Sequence, residues 1–159
     1  MAWSSASPSR SPEVGRIAAS LDLPYPAERV FRAATRVADL PRWMPEVVEA
    51  ELLDPVLAAG ARVRLRLSAA AAGAEVLGTV SKLEPPHRLV IAGSGGPIGV
   101  TVGVTLRETT PGATRADLQV DLETPQFLGF ITREAERRIE AGLPEALVRL
   151  RALIDAEPA

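Results

Sequence analysis

Few side chains in this sequence combine the type and the spacing that chemistry needs. Glu134 and Arg138 stand four residues apart in a stretch of helical period, so they share one helix face. There they could polarise a carbonyl or pass a proton; the same spacing also makes a solvated ion pair. Tyr25 offers a phenol that could donate to a ligand ketone or phenol, or that packs where a strand meets a helix. These three are the candidate catalytic residues. His87 is the single histidine, and its neighbours Pro85 and Pro86 put it in a surface turn. Arg62, Arg64 and Arg66 alternate with Val63, Leu65 and Leu67. A register slip of one residue would turn that cationic row inward, but the alternation itself points it to solvent.

Much other chemistry is excluded. Without cysteine there is no disulfide, thiol nucleophile or Cys-based zinc site. A lone histidine argues against a metal centre, and no G-x-S-x-G nucleophile elbow occurs. Gly93-Ser94-Gly95-Gly96 is followed by a strand pattern rather than a helix, so it is no phosphate loop. No metal, nucleotide or other cofactor is expected. The net charge is −2, every basic residue but Lys82 is arginine, and no basic cluster interleaves with aromatics, so no nucleic-acid partner is expected. No apolar run approaches the ~18–20 residues of an integral membrane segment. Met1 to Gly15 is rich in Ser and Pro and lacks the basic and apolar regions of a secretory signal. It reads as a disordered leader, 1–14, ahead of one domain, 15–156, in a cytoplasmic protein. A homodimer stays open.

The elements that must position these residues follow from hydropathy. Ile17, Ala19, Leu21 and Leu23 alternate with polar or small residues, a first strand starting near Arg16. Pro26 suits a helix start, and Val30, Phe31, Ala34 and Val37 predict a helix from Ala27 to Val37. Asp39 is placed to cap a second short helix, Leu40 to Met44. Six strands follow. In the first two, Glu49 and Glu51 face the arginine row, which predicts neighbouring strands with opposite charges paired on the wet face. Val48, Ala50 and Leu52 are expected inward there. Ala69 to Gly73 and Gly93 to Pro97 read as flexible connections. From Gln126 to Ala156 the period lengthens to three-to-four, one long amphipathic helix interrupted by Gly142 and Pro144. An antiparallel sheet of about seven strands with one dry face needs a cover, and only this helix is large enough. The fold class is α+β.

Three stretches carry a resemblance. Leu23-Pro24-Tyr25-Pro26-Ala27-Glu28-Arg29-Val30-Phe31, Leu40-Pro41-Arg42-Trp43-Met44-Pro45-Glu46-Val47 and Leu83-Glu84-Pro85-Pro86-His87-Arg88-Leu89 resemble, in turn, the approach to the first helix, the short second helix and the mid-sheet hairpin of START-like proteins. That superfamily includes the plant pollen allergen Bet v 1, and the subgroup most similar is the polyketide cyclase/dehydrase and lipid-transport type. The resemblance spans Val14 to Asp155. It implies a helix-grip fold with a cavity between sheet and helix for a small hydrophobic or aromatic, polyketide-like molecule. Members carry lipids or metabolites, and some catalyse cyclisation, aromatisation or dehydration; a protein-interaction module with a collapsed cavity is the third possibility. The implied wall is Trp43, Met44, Leu65, Leu67, Ile91, Val102, Val104, Leu118, Val120, Phe127, Phe130 and Ile131. The phenylalanines are expected at the mouth and Trp43 toward the other end, although all of these could be plain core. Whether there is catalysis is left open, since one fold hosts many functions.

Overall fold

The computed structural model describes residues 13–68, 73–125 and 129–158. Strand β1 (Glu13–Leu23) leads into α1 (Ala27–Ala34), a 3-10 turn (Val37–Asp39) and α2 (Leu40–Trp43). Six more strands follow: β2 (Val47–Leu52), β3 (Arg62–Leu67), β4 (Glu75–Glu84), β5 (Arg88–Gly95), β6 (Ile98–Thr110) and β7 (Ala113–Thr124). Helix α3 (Gly129–Asp155) comes last. All seven strands form one antiparallel sheet in the order β1-β7-β6-β5-β4-β3-β2. This is the α+β helix-grip fold.

Local chemistry explains where the elements depart from the sequence expectation. β1 opens at Glu13 because Glu13 and Val14 pair with Thr124 and Glu123, so these two residues belong to the sheet and not to a leader. The rest of the expected leader lies outside the described residues. α1 stops at Ala34 rather than Val37, where the Thr35 hydroxyl donates to the Phe31 carbonyl and Arg36 is extended. Asp39 makes no side-chain cap on α2; its carboxylate instead takes Arg36 and Arg42. The expected flexible stretch after β5 is mostly strand, with Gly93 to Gly95 inside β5 and a tight turn at Gly96, whose φ is +62°. Gly93 pairs with Gly78 of β4, and a Cβ on Gly93 would sit 2.6 Å from the Gly78 Cα. Of the expected loop Ala69 to Gly73, only Gly73 is described.

The facing charge rows are present. Glu49 opposes Arg66 and Glu51 opposes Arg64, each as an ion pair. Val63 and Leu65 are buried while the three arginines are exposed, so the cationic row points to solvent. A bulge moves one expected inward residue. Val47 pairs with Leu67 and Glu49 with Arg66, leaving Val48 as the extra residue. Val47 therefore turns in, and Val48 is exposed.

The filled part of the core lies under the C-terminal half of α3. Leu147, Leu150 and Ile154 are buried there. Pro144 lies within α3, which continues through it. Truncating Leu150 to Ala removes buried methyl groups from this dense half, so urea denaturation is expected to show a loss of about 2–5 kcal/mol. Val148→Ala, on the exposed face, is expected to stay within about 0.5 kcal/mol of the parent. A second prediction concerns Asp54 in the β2–β3 loop. The Arg62 guanidinium, then the Arg62 backbone N–H, holds the Asp54 carboxyl below the usual carboxylate range. A lowered carboxyl pKa stabilises the fold above that range and loses its contribution as pH falls through the lowered value. Asp54→Asn is therefore expected to be less stable than the parent at neutral pH, with the gap closing only as the pH falls below the usual carboxylate range in paired denaturation curves.

Candidate functional site: an apolar cavity between sheet and helix

Part of the inner space is hollow. Between the sheet, α2 and the middle of α3 lies a cavity of about 110 Å³. One water needs ~10–15 Å³ on the same measure, so this is no packing defect. Two features of the sequence leave it open. The inward positions of β4, β6 and β7 here are mostly valine (Val76, Val100, Val102, Val104, Val120), and α3 offers Gly142 and Ala146 on its facing side. Pro45 lies 3.8 Å from where a Gly142 Cβ would be, so the α2–β2 connection packs against the helix there.

Of the expected wall, Trp43, Met44, Leu65, Leu67, Ile91, Val102, Val104 and Val120 line this cavity together. Leu118 does not; it is fully buried, paired with Ala19 on one side and with the cavity-lining Val104 on the other. Phe127 and the side chains of Phe130 and Ile131 lie outside the described residues, and with them the expected mouth. The sequence reading missed Val37, Leu40, Val47, Val76, Leu89, Val100, Leu122, Ile139 and Leu143. Val100 and Leu122 carry the same inward alternation as their neighbours, and Ile139 and Leu143 belong to the apolar stripe of α3. Periodicity could have found these, but it could not say which end of each strand meets the hollow.

Polar groups on the wall are few. The Thr35 hydroxyl is committed to Phe31, and the Glu46 carboxylate accepts a hydrogen bond from the Ser68 hydroxyl at 2.6 Å. Trp43 is 1% exposed, and its indole Nε1 is a buried donor with no hydrogen-bond partner. An orphaned donor costs about 1–3 kcal/mol. Burying roughly 200 Å² of indole gains about 5 kcal/mol at ~25 cal/mol per Å². The ring therefore stays buried despite the unpaired N–H.

The three candidate catalytic residues lie apart from the lining. The Tyr25 hydroxyl donates to the Asp155 carboxylate at the C-terminal end of α3, and the Arg29 guanidinium lies 4.7 Å from the Tyr25 ring centroid. Arg29 also donates to the Ile154 and Glu157 carbonyls, and Arg36 pairs with Glu157, so this end of the helix is clamped to α1. Glu134 is exposed and pairs with Arg137, with Arg138 further off at 4.0 Å. The hydrogen bond from Arg137 holds the Glu134 carboxyl below its usual range, so at neutral pH it is a carboxylate and a poor proton donor. His87 is exposed in its turn, with Nδ1 3.3 Å from the Leu106 carbonyl. Among the described residues no group of acidic, His or Cys side chains assembles that could hold a metal, and no helix is long and apolar enough to cross a membrane.

Comparison with known proteins agrees with this geometry. No curated protein sequence matches the chain. Among solved structures, the protein TTHA0849 from Thermus thermophilus superposes with a TM-score of 0.73 at 20% identity, covering 91% of this chain and 100% of its own. A START superfamily protein from Mycobacterium smegmatis gives 0.66 at 12% identity, covering 88% and 97%. The Zhui aromatase/cyclase from Streptomyces sp. R1128 gives 0.64 at 15% identity, covering 89% and 92%. At these identities the likeness is one of fold. The family model described as polyketide cyclase/dehydrase and lipid transport matches residues 15–155. With a match over nearly its whole length, the chain belongs to that family.

Proposed function

We propose that this protein binds a small hydrophobic or aromatic molecule in the cavity between its sheet and α3. One observation carries the reading: the hollow is walled almost entirely by aliphatic side chains, with Trp43, Thr35 and Glu46 as the only polar exceptions among the described residues. Water in such a space finds too few partners to be held well. An apolar molecule there gains about 25 cal/mol for each Å² of surface removed from water, and a few polar groups suffice to orient it.

A second reading adds chemistry, the cyclisation, aromatisation or dehydration of a polyketide-like substrate, and is favoured by the family description. Holding a flexible chain in one conformation already supplies much of the rate of an aldol closure. Proton transfer would then fall to Glu134, Arg138 or Tyr25 only if the substrate reached beyond the described wall. The carrier reading needs no such reach and is the one preferred.

Filling the cavity separates binding from folding. Val102 is half-buried on β6 and lines the hollow. Val102→Phe is expected to keep a cooperative thermal transition and to lose the small molecules that mass spectrometry finds co-purifying with the parent. The same molecules retained by Val102→Phe would place them elsewhere. Glu134→Gln with Arg138→Ala is expected to leave affinity within about two-fold of the parent, since surface substitutions away from a site change little. A parent that turns over a poly-β-ketone, with turnover lost in that double variant, would instead favour the catalytic reading.

A further inference from the structure

We infer that the hollow takes only hydrocarbon, a group of about the bulk of one benzene ring, and that any oxygen or charge of the occupant stays outside the described wall. The inference rests on the binding reading above and narrows its ligand class. Three side chains with polar atoms belong to the described wall, and each withholds them. The Thr35 hydroxyl donates to the Phe31 carbonyl, and the Glu46 carboxylate is engaged by the Ser68 hydroxyl. The Trp43 Nε1 is enclosed by protein and presents no surface to the hollow. No Arg, Lys or His lines it among the described residues. What faces the space is carbon almost throughout.

Such a wall selects by what it cannot pair. A carbonyl or hydroxyl moved against it gives up its hydrogen bonds to water and gains none, and a carboxylate or phosphate loses far more. A methyl group or a ring edge loses nothing and gains with each Å² removed from water. Volume limits the size of the group. The hollow, at about 110 Å³, is of the same order as the ~150 Å³ of a dry apolar cavity that takes up benzene. It is well below the ~300–1,000 Å³ of sites that enclose drug-sized ligands. A poly-β-ketone carries an oxygen on every second backbone carbon, so any length of it that filled the hollow would bring unpaired carbonyls with it. A single hydrocarbon ring or a branched alkyl end brings none.

The test offers the full chain three para-substituted toluenes, p-xylene, p-cresol and p-toluate, which differ only in bearing a methyl, a hydroxyl or a carboxylate group. Occupancy is read from the methyl resonances of wall residues such as Val76, Val102 and Leu122, with Leu150 and Ile154 of the filled core as internal reference. The wall methyls are expected to shift with p-xylene, which should bind at least about ten-fold more tightly than p-cresol, the cost of one hydroxyl buried without a partner. With p-toluate they are expected to stay where they are. Binding of p-cresol as tight as that of p-xylene, or wall shifts with p-toluate, would overturn the inference and leave the binding reading standing. No wall shift with any of the three would count against both.

Discussion

The architecture depends on one constraint, that a single helix must cover the whole dry face of a seven-stranded sheet. A helix of 27 residues spans about 40 Å, long enough to run the length of the sheet. Its apolar stripe is narrow beside the concave face it covers. Close packing throughout would need large side chains along the entire stripe and on every inward strand position. At its C-terminal half the stripe offers Leu147, Leu150 and Ile154, all buried. Around the cavity, valine, alanine and Gly142 share the wall with leucine, isoleucine, methionine and Trp43, and the hollow is what the short side chains fail to fill.

The outer face answers a different demand. Its ladders carry paired charges at both ends of the sheet: Glu49 and Glu51 with Arg66 and Arg64 near one edge, Arg16 with Asp121 and Asp22 with Arg115 near the other. Exposed pairs of this kind each add little stability. They do oppose a one-residue slip, which would carry the charges into the dry face. The same register keeps the valines inward, so the wet face helps define the hollow without touching it.

The period-two and three-to-four patterns made the strands, the long helix and the wet and dry faces legible in the sequence. The Trp-Pro and Pro-Pro stretches made the fold family legible. What stayed hidden was longer in range. The Val48 bulge depends on how β2 meets β3, and alternation along one strand carries no trace of it. Leu118 and Val120 have the same parity on β7, yet only Val120 meets the cavity, a distinction that alternation along one strand does not carry. Glu134 and Arg138 share a helix face as their spacing requires, but spacing does not fix which way that face turns. The unpaired Trp43 donor is likewise invisible until the surroundings of the indole are known.

The contacts at the end of α3 have a mechanical consequence. Tyr25, Arg29 and Arg36 hold Asp155, Ile154 and Glu157, so the helix is a beam fixed at its C-terminal support. The cavity lies beneath the middle of the beam, away from that support. A tilt about that support would widen the hollow more than the close-packed half, because displacement grows with distance from a fixed end. Spare volume and close packing are thus assigned to different parts of one element.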